Sequence, residues 1–83
     1  MKFLYTHKAV RNLENLPFDL QKRIAEKMRF YAEQENPLEF AKRLAESREG
    51  EFRFRIGDYR VIFDIVKGHV VVLAIRRRDK AYD

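Results

Sequence analysis

Arginine is concentrated in the last third of the chain. Residues 53–83 hold eight basic and four acidic residues, whereas residues 1–52 hold ten basic and nine acidic ones. A guanidinium group presents a planar fork of donors that matches two phosphate oxygens, so this composition favours a polyanionic partner. A basic surface that serves only solubility is the alternative. Seven of the eight basic residues are Arg53, Arg55, Arg60, Arg76, Arg77, Arg78 and Lys80.

Clustered guanidinium groups can hold a scissile phosphate in line and stabilise the extra negative charge of a pentacoordinate transition state. The attacking group would be the 2′-hydroxyl of RNA, which DNA lacks. Arginine cannot remove the proton at pH 7, because its pKa lies above about 12. Tyr82 is left for proton transfer, for stacking on a base or for packing at the C-terminus. We expect His7 and His69 to lie far from the arginines, so they are poor candidates for an acid–base pair.

The composition excludes several classes of protein. The 83 residues are 46% hydrophobic and 37% charged, which is too apolar for a disordered chain. Without cysteine there are no disulfides or thiolate metal sites, and the three glycines do not form a phosphate loop. The longest uncharged apolar run, Val70 to Ile75, is six residues, whereas a membrane span needs about 20. We therefore expect one cytoplasmic domain over residues 1–83, with no cofactor, no metal and no membrane contact.

Two amphipathic helices precede the arginine-rich part. Thr6 can cap a short first helix, and Pro17 ends it. A second helix is predicted from Asp19 to about Asn36, where Asn36-Pro37 is a stop signal. The tight link between the two helices predicts an antiparallel helical hairpin. The apolar stripe of the second helix consists of Leu20, Ile24, Met28 and Tyr31.

From Glu51 onward, apolar and charged residues alternate, which predicts strands. Gly57-Asp58 and Lys67-Gly68 are suited to two-residue hairpin loops, and glycine in the first position of the former favours a type II′ turn. Residues 2–5 can add a short edge strand. The predicted fold class is α+β: a two-helix antiparallel hairpin packed on an antiparallel sheet, made of the short N-terminal strand and a three-stranded meander.

Two-residue turns also fix a register across the meander. Arg55 then lies opposite Arg60, and Arg60 lies opposite Ile75, so Arg77 shares their face. Like charges directly opposite each other are destabilising, so we expect a bound anion to compensate. A β-bulge would shift this register by one residue. The other face is the predicted core: Phe52, Phe54, Ile56, Tyr59, Val61, Phe63, Ile65, Val70, Val72 and Ala74.

The arginine face has an apolar end, which consists of Ile62, Val71, Leu73 and Ile75 in the predicted register. An exposed apolar patch on a small protein usually marks an interface. The alternative is that the segment Leu38 to Leu44 folds over these residues. The sequence leaves both alternatives open.

Two segments resemble a known superfamily. Residues 50–63 read GEFRFRIGDYRVIF, and residues 72–82 read VLAIRRRDKAY. Both are similar to the RelE/ParE superfamily of toxins from type II toxin–antitoxin systems, and the resemblance extends over nearly the whole chain. It implies a single RelE-like toxin domain over residues 1–83. RelE-like members are ribosome-dependent mRNA endonucleases, whereas ParE-like members share the fold and inhibit DNA gyrase.

The resemblance favours the RelE-like branch, residue by residue. The two basic residues before the hairpin match Arg53 and Arg55, and the near-invariant arginine after the hairpin aromatic residue matches Arg60. The basic residue that follows the last strand matches Arg77 or Arg78, and the C-terminal catalytic tyrosine matches Tyr82. Four positions depart from the pattern: Arg53 and Arg55 replace lysines before the hairpin, Arg77 replaces a frequent histidine, and Glu46 replaces a frequent glycine.

The resemblance implies a metal-independent endoribonuclease, an mRNA interferase that inhibits translation in the ribosomal A site. A ParE-like gyrase inhibitor without nuclease activity is the main alternative, and a decayed toxin that only binds its antitoxin is another. The implied partners are a cognate antitoxin, the ribosome and mRNA, with DNA contacted only indirectly through the antitoxin. We expect a disordered, acidic and amphipathic antitoxin segment to cover the arginine face or to displace the segment that carries Tyr82.

Overall fold

Two helices pack on a five-stranded sheet, which confirms the predicted α+β fold class. The computed structural model describes residues 1–45 and 47–78. None of the helices in these ranges is long and apolar enough to cross a membrane. The elements in chain order are β1 (Phe3–Tyr5), α1 (His7–Glu14), α2 (Phe18–Ala32), a 3₁₀ helix (Pro37–Phe40), β2 (Lys42–Arg43), β3 (Phe52–Ile56), β4 (Tyr59–Val66) and β5 (His69–Arg77).

The strand order is β1-β5-β4-β3-β2, and two details differ from the expected sheet. First, β1 runs parallel to β5, with Phe3 opposite Val70, so the sheet is mixed rather than antiparallel. Hydrophobic alternation in a three-residue strand carries no information about direction. Second, β2 adds a fifth strand, with Lys42 opposite Arg53. A strand of two residues is too short to show a period in the sequence.

Helix α1 begins as the sequence predicts, whereas α2 begins at Phe18, one residue before the predicted Asp19. The Thr6 hydroxyl accepts the Ala9 N–H at 3.1 Å, which confirms the cap of α1. Ile24, Met28 and Tyr31 are buried, which confirms the stripe of α2. However, α2 ends at Ala32 rather than near Asn36. Residues 33–36 are all polar, so a longer helix would gain no buried apolar area.

The core lies between the helices and the predicted face of the sheet. Aromatic rings form its centre: Tyr31 stacks on Phe54 with ring centroids 4.2 Å apart, and Phe54 stacks on Phe63 at 4.5 Å. Phe54 and Phe63 are fully buried. Such pairs stabilise the fold beyond their buried area by about 0.5–1.5 kcal/mol each. This packing makes the sheet a rigid platform for the residues on its other face.

The two hairpin turns have the expected length. Gly57 has a φ of +57°, as the first central position of a type II′ turn requires. At the second turn, both Lys67 and Gly68 have positive φ, as in a type I′ turn. The predicted pairs Arg55 with Arg60 and Val66 with His69 are confirmed.

The predicted register is wrong at the C-terminal end of β5 because the strand contains a bulge. Phe63 pairs with Val72 and Ile62 pairs with Ala74, so Leu73 is the extra residue. Arg60 therefore lies opposite Arg76 instead of Ile75, and Tyr59 lies opposite Arg77. The shift by one residue moves Ile75 into the core in place of Ala74.

Helix α1 holds the bulge in place. The Thr6 hydroxyl donates to the Leu73 carbonyl at 3.2 Å, and the Thr6 N–H donates to the Val72 carbonyl at 3.0 Å. Asn12 Oδ1 accepts the Ile75 N–H at 3.0 Å. These bonds satisfy backbone groups that a regular ladder would otherwise pair. The bulge thus depends on side chains of another element.

The apolar end of the arginine face is covered by the backbone at Gly50 and Glu51, and not by the expected segment Leu38 to Leu44. A Cβ on Gly50 would lie 2.7 Å from Ile62 Cγ2 and 3.1 Å from Leu73 Cδ1, so the backbone lies directly on the sheet. The Glu51 N–H donates to Asp64 Oδ1 at 2.7 Å, which fixes the segment there. Ile62 is consequently 1% exposed. Ile62 is therefore not part of an exposed apolar patch.

Candidate functional site

Three arginines form one row across the sheet. Arg55 on β3 lies opposite Arg60 on β4, and Arg60 lies opposite Arg76 on β5. Opposite residues have Cβ atoms about 4.5–5.5 Å apart, so three positive charges are held side by side. We call Arg55, Arg60 and Arg76 the arginine row. Its repulsion is a cost that an anion on this face would offset.

A basic groove lies beside the arginine row. Lys42 lies opposite Arg53, two residues along β3 from Arg55. Arg53 is only 8% exposed, an unusual position for a charged side chain. The open volume of the groove is about 470 Å³. Among the described residues, its charged lining consists of Lys42, Arg43, Arg53 and Arg60, together with the carboxylate of Glu49.

Glu49 pairs with the outer member of the row. Arg76 donates to Glu49 Oε2 from Nη2 at 2.6 Å and from Nε at 2.9 Å, and Lys8 Nζ lies 3.5 Å from the same oxygen. The hydrogen bonds from Arg76 are the main reason why the pKa of Glu49 lies below its usual value, and they raise the pKa of Arg76. Arg76 thus forms an ion pair with Glu49, and this contact holds the segment around Glu49 against β5.

The structure brings together most of the predicted site residues, but not all. Arg53, Arg55 and Arg60 share one face of the sheet, as expected. Arg77 lies on the opposite face, beside Tyr59, because the bulge reverses its orientation. Arg78 follows Arg76 by two residues, and its N–H donates to the Asp58 carbonyl, so strand alternation returns it to the face of the row.

Tyr82, the last predicted site residue, lies outside the described residues.

Sequence reasoning also missed several residues of the basic groove. The adjacent basic residues Lys42 and Arg43 were the available signal, because a local pair of positive charges favours contact with an anion. Glu49 gave no such signal, since its contact with Arg76 spans 27 residues.

His69 lies at the opposite end of β5 from the arginine row, as expected. His7 begins α1, and His69 is at the start of β5, where its Nδ1 accepts the Lys2 N–H at 3.4 Å. Asp64 accepts a backbone N–H of Glu51 rather than facing an arginine. Within residues 1–45 and 47–78, no three His, Asp or Glu side chains are grouped closely enough to hold a metal ion.

The sequence matches a family model over residues 3–82, almost its full length: the ParE toxin of type II toxin–antitoxin systems, parDE. The chain belongs to this family. The expected superfamily is thereby confirmed, and the protein is a toxin of a type II system. No curated protein matches the sequence significantly.

A solved structure supports the same assignment for this ParE-family toxin. The fold is similar to a chain in the crystal structure of the toxin–antitoxin complex RelBE2 from Mycobacterium tuberculosis, with a TM-score of 0.76 and 29% sequence identity. The similarity covers 93% of the toxin and 96% of that chain. The two comparisons thus point to the two named branches of one superfamily.

Proposed function

We propose that this toxin is a ribosome-dependent mRNA endonuclease that acts in the cytoplasm. The observation that carries the proposal is the arginine face: Arg55 and Arg60 are directly opposed, and Arg53 lies buried in the groove beside them. Opposed guanidinium groups concentrate positive charge on this face, and a phosphate held between them can accept hydrogen bonds from both. A single strand of RNA supplies phosphates and the 2′-hydroxyl nucleophile.

The proposed reaction is an internal transesterification. The 2′-oxygen forms a bond to phosphorus while the bond to the 5′-oxygen of the next nucleotide breaks. The products are a 2′,3′-cyclic phosphate and a 5′-hydroxyl; the 2′-proton passes to a base, and the departing 5′-oxygen gains a proton. The guanidinium groups of Arg53, Arg55 and Arg60 hold the phosphate and stabilise the added negative charge.

We assign the remaining roles from the orientation of the tail. Arg78, rather than Arg77, is the basic tail residue that joins Arg60 at the phosphate, since it shares the face of the row. Arg76 positions the segment around Glu49. The superfamily resemblance gives Tyr82 the proton-transfer role, which arginine cannot fill because it stays protonated at pH 7.

Primer extension on ribosome-bound mRNA tests the proposal. Wild-type toxin should cleave the message, and cleavage should persist in EDTA. Arg60→Ala should lower the cleavage rate by about 10²–10³, the usual cost of removing one donor from a transition-state site. Arg60→Lys keeps the charge but loses the planar fork, and should restore only part of the rate. Arg29→Ala, on the exposed side of α2, is the matched control and should cleave like wild type.

Intact message at a stoichiometric amount of well-folded toxin would refute nuclease activity. The second candidate function is inhibition of DNA gyrase, which the ParE family match favours. A supercoiling assay with purified gyrase separates the two. Gyrase inhibition without RNA cleavage, unchanged in Arg60→Ala, would replace our proposal by the alternative.

We also propose a cognate antitoxin as a partner, in line with the toxin–antitoxin complex that the fold resembles. An acidic and amphipathic segment would place carboxylates on Arg53, Arg55 and Arg60 and so exclude the phosphate. Hydrogen exchange of the complex should then show protection of β3 and β4. Protection confined to the outer surface of α2, around Lys22 and Arg29, would refute masking of the arginine face.

A further inference from the structure

A second basic groove lies at the same end of the sheet, on its helix side. Its open volume is about 580 Å³. Arg23 of α2 reaches the turn between β3 and β4: a Cβ on Gly57 would lie 3.5–3.7 Å from the guanidinium atoms of Arg23. Arg77 and Tyr59 form the other wall, because the bulge turns Arg77 to this face. We call this the turn groove.

The two arginines of the turn groove make no polar contact that stabilises the described part of the fold. Within residues 1–45 and 47–78, neither Arg23 nor Arg77 forms an ion pair or a side-chain hydrogen bond. Asp58 also lines the groove, but its carboxylate oxygens lie more than 4.0 Å from the guanidinium nitrogens of Arg23 and Arg77. Two guanidinium groups beside one cavity, whose N–H donors have no acceptor among the described residues, favour the binding of an anion with several acceptor oxygens.

The turn groove is adjacent to the arginine row. The two sites lie on opposite faces of the sheet but one residue apart along each strand: Tyr59 precedes Arg60 on β4, and Arg77 follows Arg76 on β5, close to the turn that joins β3 to β4. A chain of phosphates that leaves the row over the end of the sheet therefore reaches Arg23 and Arg77. Tyr59 offers an aromatic ring there, and such rings stack on unpaired bases without regard to sequence.

We propose that Arg23 and Arg77 form a second phosphate subsite, which holds single-stranded RNA next to the phosphate bound by the arginine row. The inference rests on the proposed function, since it extends the same RNA beyond the scissile position. Arg77 then binds RNA but does not touch the reacting phosphate. It is a binding residue, and Arg60 is the residue at the reaction centre.

Equilibrium binding of an uncleavable RNA tests this subsite separately from catalysis. The probe is a fluorescent 12-nucleotide RNA with 2′-O-methyl groups throughout, and its anisotropy is measured from 0.05 to 0.3 M salt. Each phosphate contact with a single strand contributes about 0.7 to the slope of log K against log salt. Arg23→Ala and Arg77→Ala should each reduce that slope by about 0.7 and weaken binding about fivefold at 0.1 M salt.

Matched variants make the result decisive. Arg29→Ala removes the same charge from the same helix and should keep the wild-type slope. If Arg23→Ala unfolds the turn, as thermal melting would reveal, Arg23→Gln and Arg77→Gln retain the packing of the stem and replace the alanine variants. Slopes equal to that of Arg29→Ala would overturn the subsite, even if the wild-type toxin cleaves ribosome-bound mRNA and so upholds the proposed function.

A second probe separates RNA phosphates from protein carboxylates. If Arg23→Ala and Arg77→Ala lose affinity for a poly-glutamate peptide and keep their affinity for the RNA, the groove binds acidic protein segments and the proposal is overturned. If wild-type toxin leaves ribosome-bound mRNA intact, the proposed function fails and the subsite, which rests on it, fails as well. Loss of RNA affinity and a lower salt slope in the Arg23 and Arg77 variants, with wild-type values in Arg29→Ala, supports the subsite.

Discussion

Replacement of Glu49 by glutamine tests how the arginine face is held together. Glu49 Oε2 accepts two hydrogen bonds from Arg76, at 2.6 and 2.9 Å, and lies 3.5 Å from Lys8 Nζ. Glutamine has nearly the same size and can still accept a hydrogen bond. Glu49→Gln therefore removes the charge and leaves the packing, which isolates the electrostatic part of the contact.

The expected loss of stability is about 1 kcal/mol. Hydrogen bonds to a charged group contribute about 1.5–3 kcal/mol when shielded from water, whereas exposed ion pairs contribute about 0–1 kcal/mol. The side chains of Glu49 and Arg76 are 35% and 42% exposed, so solvent screening reduces the larger figure. For a domain of this size, about 1 kcal/mol corresponds to a fall in Tm of about 4–8 °C.

The pH dependence distinguishes this contact from a general effect of the substitution. The folded state lowers the pKa of Glu49 below the ordinary value of 4.5, chiefly through hydrogen bonds from Arg76. The stabilisation is therefore present above pH about 4.5 and is lost as the pH falls through the folded-state pKa. Urea unfolding of wild type and Glu49→Gln should differ at pH 7 and converge at lower pH.

The same substitution should strengthen anion binding. It removes the negative charge of Glu49 from the lining of the basic groove and releases Arg76. RNA affinity should rise several-fold at 0.1 M salt, with a steeper salt dependence. Glu35→Gln, an exposed carboxylate beyond α2, is the control and should change neither property. Equal stability of Glu49→Gln and wild type at pH 7, or a difference that persists below the folded-state pKa, would refute the reasoning.

Three further substitutions test the elements that position the site. Asn12→Ala leaves the Ile75 N–H without its acceptor and should cost about 1–3 kcal/mol in urea unfolding, whereas Asn12→Asp keeps an acceptor and should lose less. Gly50→Ala puts a methyl group 2.7 Å from Ile62 Cγ2 and should destabilise by about 1–3 kcal/mol; a wild-type Tm would contradict the covering of the sheet. Phe54→Ala empties the centre of the aromatic stack and should cost about 3–5 kcal/mol, with loss of near-ultraviolet circular dichroism.

Local sequence patterns determined most of the fold. The stripe of α2 and the alternation of β3 and β4 have the periods of a helix and a strand, so they identify the core side of each element without tertiary information. The turns at Gly57-Asp58 and Lys67-Gly68 fix the loop length, and loop length fixes the register next to each turn. For that reason the opposition of Arg55 and Arg60 was predictable, together with the burial of Phe54.

Other features depend on residues that are distant in sequence. The direction of β1 follows from pairing with Val70, far along the chain, and a strand of three residues carries no signal for it. The bulge at Leu73 is stabilised by Thr6, the N-cap of α1, and by Asn12 within α1, which contact β5 but lie more than 60 residues earlier in the chain. No pattern within β5 itself distinguishes a regular strand from a bulged one.

Some features of the site were therefore set by the local sequence, and others were set only by the tertiary structure. The sequence by itself determined that arginines lie on one face of a hairpin, because their types and their spacing from a two-residue turn are local properties. Only the tertiary structure decided that Arg76 replaces Arg77 in the row and that Glu49 pairs with Arg76. The physical reason is that one inserted residue reverses every following side chain, and the hydrogen bonds that stabilise this insertion come from a helix about 60 residues earlier in the chain.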